Sequence, residues 1–141
     1  MSASGTGPTA QGQQVGLVVT HRRYVSHADA HYGGQLVDGA FSLALFGDVA
    51  TELCIRTDGD EGLFAGYSEV SFHDAVRAGD VVEVTAELVR VGRRSREVAF
   101  QAHVVCRAAS EVSASASRVL GRPLLATAAR GTVVVPSTTP A

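Results

Sequence analysis

SHADAHYGGQLVDGAFSLALFGDVATELCIRTDGDEGLF, residues 26–64, is the stretch around which this chain of 141 residues is organised. It opens with a polar turn carrying Asp29, His31 and Tyr32, closed by Gly33 and Gly34, and it ends in an acidic turn containing glycine. Between them, Val37 to Ile55 has the length and composition of one helix of about five turns. At 100° per residue, Phe41, Ala44, Leu45, Val49 and Leu53 fall on one broad face. Asp48 and Glu52, four residues apart, fall near the middle of that face. Leu43, Phe46 and Ala50 make the other faces apolar too, so the sequence predicts a buried helix carrying two carboxylates. Buried carboxylates are costly unless paired, and that conflict directs attention to this helix as a functional element.

Outward from the helix, Val15 to Val25 is a β-branched run that reads as a first strand. On the C-terminal side everything reads as sheet. Phe64 to Phe72 alternates weakly, and a short HDAVRAGD connection follows. Asp80 to Val91 alternates cleanly, with Val82, Val84, Ala86 and Leu88 on one side. Gly92 to Arg94 is a hairpin turn. Ser95 to Arg107 alternates again, with Val98, Phe100, Ala102, Val104 and Cys106 inward. Ala109 to Arg122 is small and polar and reads as a loop. Leu124 to Val135 is a final strand broken at Gly131. Residues 1–13 and 137–141 read as a disordered tail and a second tail, leaving 14–136 as a single domain.

A strand, a long helix and four more strands joined by hairpin-length connections predict an α+β fold, the helix wrapped by a curved antiparallel sheet of about five strands. One sheet cannot cover a helix that is apolar all round, so at least a homodimer is expected. A net charge of −2 gives no reason to expect nucleic acid as a partner, and no apolar run is long enough to span a membrane. Two cysteines without ligand spacing predict reduced thiols in a cytoplasmic protein rather than a disulfide framework or a metal site.

The segments DAHYGGQLVDGA, LFGDVATEL, DGDEGLF, VRAGD and VGRRSR resemble the hot-dog fold 3-aminobutyryl-CoA and β-alanyl-CoA ammonia-lyases. The resemblance covers roughly Ser26 to Phe100 and, weakly, the last strand. It implies a hot-dog fold, dimers with shared active sites and addition or removal of ammonia at the β-carbon of an acyl thioester. The same layout serves acyl-thioester hydrolases and dehydratases. The chain departs from the family in SFHDAV, where Ser71, His73 and Asp74 would reshape the substrate tunnel. Its Ala-, Val- and Arg-rich composition resembles that of a high-GC actinobacterial protein and fits secondary metabolism, where related enzymes add an amino acid such as glycine and sometimes hydrolyse the thioester.

Aza-Michael addition of an amine to a 2-enoyl thioester needs a polarised carbonyl, a base and an acid. Backbone N–H groups around Gly33 and Gly34, expected at the start of the helix, are candidates for the first. Glu52 or Asp48, with a pKa raised by burial, or Asp29 and His31 from the preceding turn, are candidates for proton transfer, and Tyr32 for orientation. Each also reads as ordinary structure: Asp29 as a cap, His31 as a turn histidine, Asp48 and Glu52 as acceptors for loops or a partner helix. Asp38, near the helix start, reads as a structural residue favoured there by the helix dipole. His73 is a candidate for the tunnel wall, whereas His21, His27 and His103 read as fillers. Asp58, Asp60 and Glu61 read as a tight turn lacking the ligand set of a calcium loop. Arg22, Arg23, Arg93, Arg94 and Arg96 are expected near the phosphates of coenzyme A or a carrier-protein phosphopantetheine, with Arg94 and Arg96 foremost. No nucleotide loop, serine elbow or zinc motif occurs, so the expected chemistry is metal-free and uses no cofactor beyond the coenzyme A or phosphopantetheine of the substrate. The alternatives are an acyl-CoA or acyl-carrier-protein thioesterase, in which a carboxylate activates water, and a non-catalytic binder of acyl thioesters.

Overall fold

The structure is a computed structural model that describes residues 14–136; both expected tails lie outside the described residues. In chain order it contains β1 (Val18–Tyr24), α1 (Gly39–Asp58), β2 (Leu63–Phe72), β3 (Val81–Val91), β4 (Ser95–Ala108) and β5 (Ser117–Val134). The strands form one five-stranded antiparallel sheet in the order β1-β3-β4-β5-β2, and α1 packs against it. This is the expected layout of one long helix against a five-stranded sheet.

Helix α1 begins two residues later than its apolar period suggests, and ends three residues later. Asp38 is its N-cap: extended backbone places the carboxylate to accept from Phe41 N at 3.1 Å. At the other end Gly59 adopts a left-handed conformation, φ 66°, and donates its N–H to Ile55 O at 2.9 Å. The buried stripe of α1 includes Leu45, Phe46, Val49, Ala50, Leu53 and Cys54. It is rotated roughly a third of a turn from the expected face, and this overturns the expected burial of Asp48 and Glu52. Asp48 is exposed, on the side of Ala40, Ala44 and Ile55, and the Glu52 side chain is 36% exposed. A helix apolar on every side gives periodicity little to choose between, and the choice is made by the partners in the sheet.

Those partners are the inward residues of the cleanly alternating strands. Val82, Val84, Ala86 and Leu88 of β3 and Val98, Phe100, Ala102 and Val104 of β4 are all at most 1% exposed. Phe46 stacks on Phe100 with ring centroids 4.9 Å apart. Fully burying each large side chain of this kind contributes about 1.5–3 kcal/mol. The weak alternation of β2 also has a structural cause. Two register shifts, between Phe64 and Gly66 and between Tyr67 and Glu69, space its inward residues Phe64, Tyr67 and Val70 by three rather than two.

Strand β5 departs from expectation twice. It begins at Ser117, inside the segment read as a loop. Residues 117–119 pair only with β4 and face water, so they carry no inside–outside alternation. It also runs unbroken through Gly131, which pairs with Tyr67 on one side and Val98 on the other. A Cβ at Gly131 would lie 2.7 Å from Phe64 Cζ, so the glycine is there because an aromatic ring lies over it.

The charged pair that is buried is one the helix period does not reveal. Asp58, the last residue of α1, accepts from Arg96 Nε at 2.9 Å and from Arg96 Nη2 at 2.6 Å. Thr57 Oγ1 donates to the same carboxylate, and Arg96 Nη1 donates to the carbonyls of Gly92 and Ser95. This pair joins the C-terminal end of α1 to the β3–β4 hairpin. Both thiols are free; Cys54 is buried, and burial pushes its pKa up to about 11, whereas Cys106 is half-buried. No helix among the described residues is long and apolar enough to cross a membrane.

Candidate active site

The N-terminal end of α1 faces a cavity of about 360 Å³. Val37, Asp38, Gly39 and Ser42 form one wall, residues 72–76 a second, and Thr127 of β5 completes it. The wall at 72–76 is held by several independent ties. The amides of His73 and Asp74 donate to Ala126 O, and Val37 N donates to Val76 O. Arg107 Nη2 donates both to Ala75 O and to the carboxylate of Asp80, which is fully buried. Asp80 also accepts from Arg77 N and Arg107 Nε. The segment is thus fixed without its side chains being consumed.

The polar turn of residues 26–36 arches over this end of the helix as two short 3-10 turns, His27–Asp29 and Gly33–Gln35. It delivers His31, whose Nε2–H donates to Asp38 Oδ2 at 2.7 Å. The hydrogen bond from His31 holds the Asp38 carboxyl below its ordinary pKa. With Nε2 carrying the hydrogen, the lone pair of the neutral imidazole sits on Nδ1. The exposed ring of Tyr32 meets His31 edge-on, centroids 4.7 Å apart. Asp38 lines the cavity, whereas His31 and Tyr32 lie outside its lining, so the imidazole reaches the cavity through the carboxylate that fixes it, an arrangement suited to proton transfer.

The structure separates the other residues singled out from the sequence. His73 lines the cavity. Asp29 lies in the first 3-10 turn and is not part of the lining. Gly33 and Gly34 are exposed in the second, five residues before the helix; the amides at the helix start belong to Gly39 and its neighbours instead. Asp48 and Glu52 lie two to four turns along α1 from Asp38. Glu52 accepts from His21 at 2.7 Å and from Arg56 at 2.8 Å, and the His21 bond, followed by that of Arg56, lowers its pKa. The direction is opposite to the expected rise, because the group is half-exposed and doubly paired.

The expectation that Arg96 faces a phosphate is also corrected: its side chain is 1% exposed and engaged by Asp58. Arg94 is exposed and lies with it at the far end of α1, about 30 Å from Asp38 along a 20-residue helix. Arg22 is paired with Glu83. Arg23 lies near the start of α1, with its guanidinium 5.9 Å from the ring centre of Phe41, and neither residue is part of the cavity lining.

Sequence reasoning missed three lining groups. Asp38 was assigned to the helix dipole, and its second role depends on a contact with His31 that spacing does not reveal. Ser42 and Thr127 carry no sequence signal, since their meeting joins residues 85 positions apart.

Residues 34–105 match the family described as the thioesterase superfamily. The chain belongs to that superfamily. The superfamily match takes in α1 and runs through most of β4, and so contains Asp38, Ser42 and the 72–76 wall, while His31 and Thr127 lie outside it. The 3-aminobutyryl-CoA ammonia lyase of Acetoanaerobium sticklandii is 50% identical over 112 residues, 79% of this chain and 89% of that protein. The solved β-alanyl-CoA:ammonia lyase from Clostridium propionicum is 34% identical with a TM-score of 0.81, covering 86% of each chain. A hexameric hotdog fold thioesterase of Campylobacter jejuni has a TM-score of 0.69 at 16% identity, covering 83% of this chain and 81% of its own, a likeness of fold alone. The hot-dog architecture expected from the sequence is therefore the fold of this superfamily member.

Proposed function

We propose that this protein is a β-amino acyl-CoA ammonia lyase, removing ammonia from, or adding it to, the β-carbon of an acyl thioester. The observation that carries the reading is the 50% identity to a 3-aminobutyryl-CoA ammonia lyase along 89% of that protein. The His31–Asp38 pair at the cavity supplies a chemical basis for it. In the elimination direction His31 Nδ1 takes a proton from the α-carbon while the thioester carbonyl accepts the developing charge. The C–N bond to the β-carbon then breaks with its electron pair leaving on ammonia, which takes the proton from the imidazolium to depart as ammonium. Asp38 fixes the imidazole and stabilises its charged form. On this reading Tyr32 and His73 orient the substrate, and Arg23 meets the coenzyme A phosphates.

The protein is incubated with crotonyl-CoA and ammonia, and the product mass is followed. Gain of one ammonia is expected; no gain with ammonia, methylamine or glycine sinks the reading. A second reading, hydrolysis of the thioester alone, is favoured by the superfamily match and predicts thiol release from butyryl-CoA without amine.

The site is completed in at least a homodimer on this reading. Strand β2 is a sheet edge bonded on one side only, and Leu63 and Phe72 at its two ends are 77% and 58% exposed. Such an edge is a template for a second chain. Light scattering should give at least twice the 14.6 kDa chain mass. The substrate carrier is coenzyme A rather than a carrier protein, and the location is cytoplasmic.

A further inference from the structure

The inner end of the cavity is closed by two hydroxyls. Ser42, on the second turn of α1, is 4% exposed, and Thr127, from β5, is 2% exposed. Thr127 Oγ1 donates to Ser42 Oγ at 3.1 Å. Two hydroxyls carry two hydrogens, and this contact uses one. Among the described residues neither hydroxyl makes another hydrogen bond, although a helical serine commonly donates to the carbonyl four residues back. The pair therefore holds one spare O–H, buried and lining an open cavity, where water competes poorly and an unused donor is unfavourable.

The chemistry of the lining restricts what that donor serves. Asp38 and Asp74 line the same cavity, and no lysine or arginine does. A carboxylate or phosphate acceptor would meet like charge there. An ammonium group has only hydrogens to offer and leaves the donor unused. A neutral carbonyl oxygen satisfies both limits. We infer that the Ser42–Thr127 pair donates its spare hydroxyl hydrogen to the thioester carbonyl oxygen of the bound acyl group, with the N-terminal amides of α1 beside it. This rests on the proposal that the substrate is an acyl thioester. As the α-proton leaves, the oxygen gains negative charge and the same hydrogen bond becomes charge-assisted, so the pair favours the enolate over the ground state.

The test uses butyryl-CoA with a 13C-labelled carbonyl, which binds without β-amino chemistry, read by difference infrared spectroscopy. In the wild-type protein the carbonyl band lies below that of free butyryl-CoA. In S42A/T127V, which removes both hydroxyls together and leaves neither stranded, the band returns toward the free position. Its Kd for butyryl-CoA stays within about tenfold, and kcat for ammonia addition to crotonyl-CoA falls about 100-fold. The single variants S42A and T127V each return the band part of the way, and T127S keeps it, so the inference is tested even without a folded double variant. A band in the variants coinciding with that of the wild type overturns the inference and leaves the acyl-thioester reading intact. Absence of butyryl-CoA binding by the wild type overturns that reading itself, and the inference with it.

Discussion

Arg96 grips Asp58 at two points, 2.9 Å from Nε to Oδ2 and 2.6 Å from Nη2 to Oδ1, with both side chains essentially removed from water. Removing one partner strands the other charge in a dry site. Arg96→Met is expected to destabilise the fold by about 3–5 kcal/mol, measured by urea denaturation. Pairing it with Asp58→Leu should recover much of that loss, because the double replacement leaves no unpaired charge. A destabilisation by R96M below about 1 kcal/mol would show that the pair is not buried as described.

The N-cap and the proton-transfer roles of Asp38 are separable by substitution. Asparagine caps helices as well as aspartate, so Asp38→Asn is expected to keep the melting temperature while amine addition falls about 100-fold or more. Asp38→Ala loses the cap as well and should cost a further ~0.5–2 kcal/mol of stability. His31→Ala should match D38N in activity, and the H31A/D38N double variant should fall little further, because the two side chains act as one unit.

Glu52 serves as a contrast. Its carboxyl has a folded pKa below the ordinary 4.5, chiefly through the hydrogen bond from His21 and then that from Arg56. The stabilisation is therefore fully present above pH 4.5 and is lost as the pH falls through the lower folded value. The difference in melting temperature between wild type and Glu52→Gln should shrink as the pH falls below 4.5 and vanish on further acidification. E52Q should keep amine addition within a few-fold of wild type, and a 100-fold loss in a folded E52Q would return Glu52 to the chemistry.

At Gly39 there is no space for a side chain. A Cβ would stand 2.7 Å from Phe72 Cε1 and 2.8 Å from Phe72 Cζ, and Phe72 is partly exposed and can swing away. Gly39→Ala is expected to leave the helix at least as stable, since alanine favours helix. The displaced ring opens the cavity wall, and KM for the acyl-CoA should rise about tenfold. Combining G39A with Phe72→Ala should remove the clash without restoring KM. An unchanged KM in G39A would mean that the ring does not shape the binding surface.

Periodicity revealed the elements that bury one face cleanly. Apart from Cys106, which is only half-buried, the inward residues of β3 and β4 were legible at two-residue spacing, and α1 was legible from its length and apolar composition. What failed did so where two readings had equal local support. All faces of α1 are apolar enough that its orientation depends on Phe100 and the other sheet residues, and Asp48 was assigned to the wrong side. The bulges of β2 erase its alternation, and the first residues of β5 never had one. The candidate site was legible where a single segment carries its chemistry, as with His31, and His73 was picked out as a departure from the family pattern. It was illegible where distant segments meet: Asp38 with His31 around a turn, Ser42 with Thr127 across the core, and Asp58 with Arg96, 38 positions apart, where the helix end meets the hairpin.

Strand β5 bonds to β4 on one side and to β2 on the other, although it is made after the other four strands of the sheet. During translation β1, β3 and β4 can join as soon as they emerge, since β3 and β4 form a hairpin. β2 is made before either, yet it waits through roughly fifty residues for β5, its only partner among the described residues. Sheet closure is thus a late, long-range event that requires the chain to have been made through β5. Until then the nascent chain carries an unpaired strand with Phe64, Tyr67 and Val70 uncovered, and loss of the final strand strands β2 rather than merely shortening the sheet. A ribosome stalled before Thr127 would therefore display a chain that is prone to self-association, and release past Val134 would end that period.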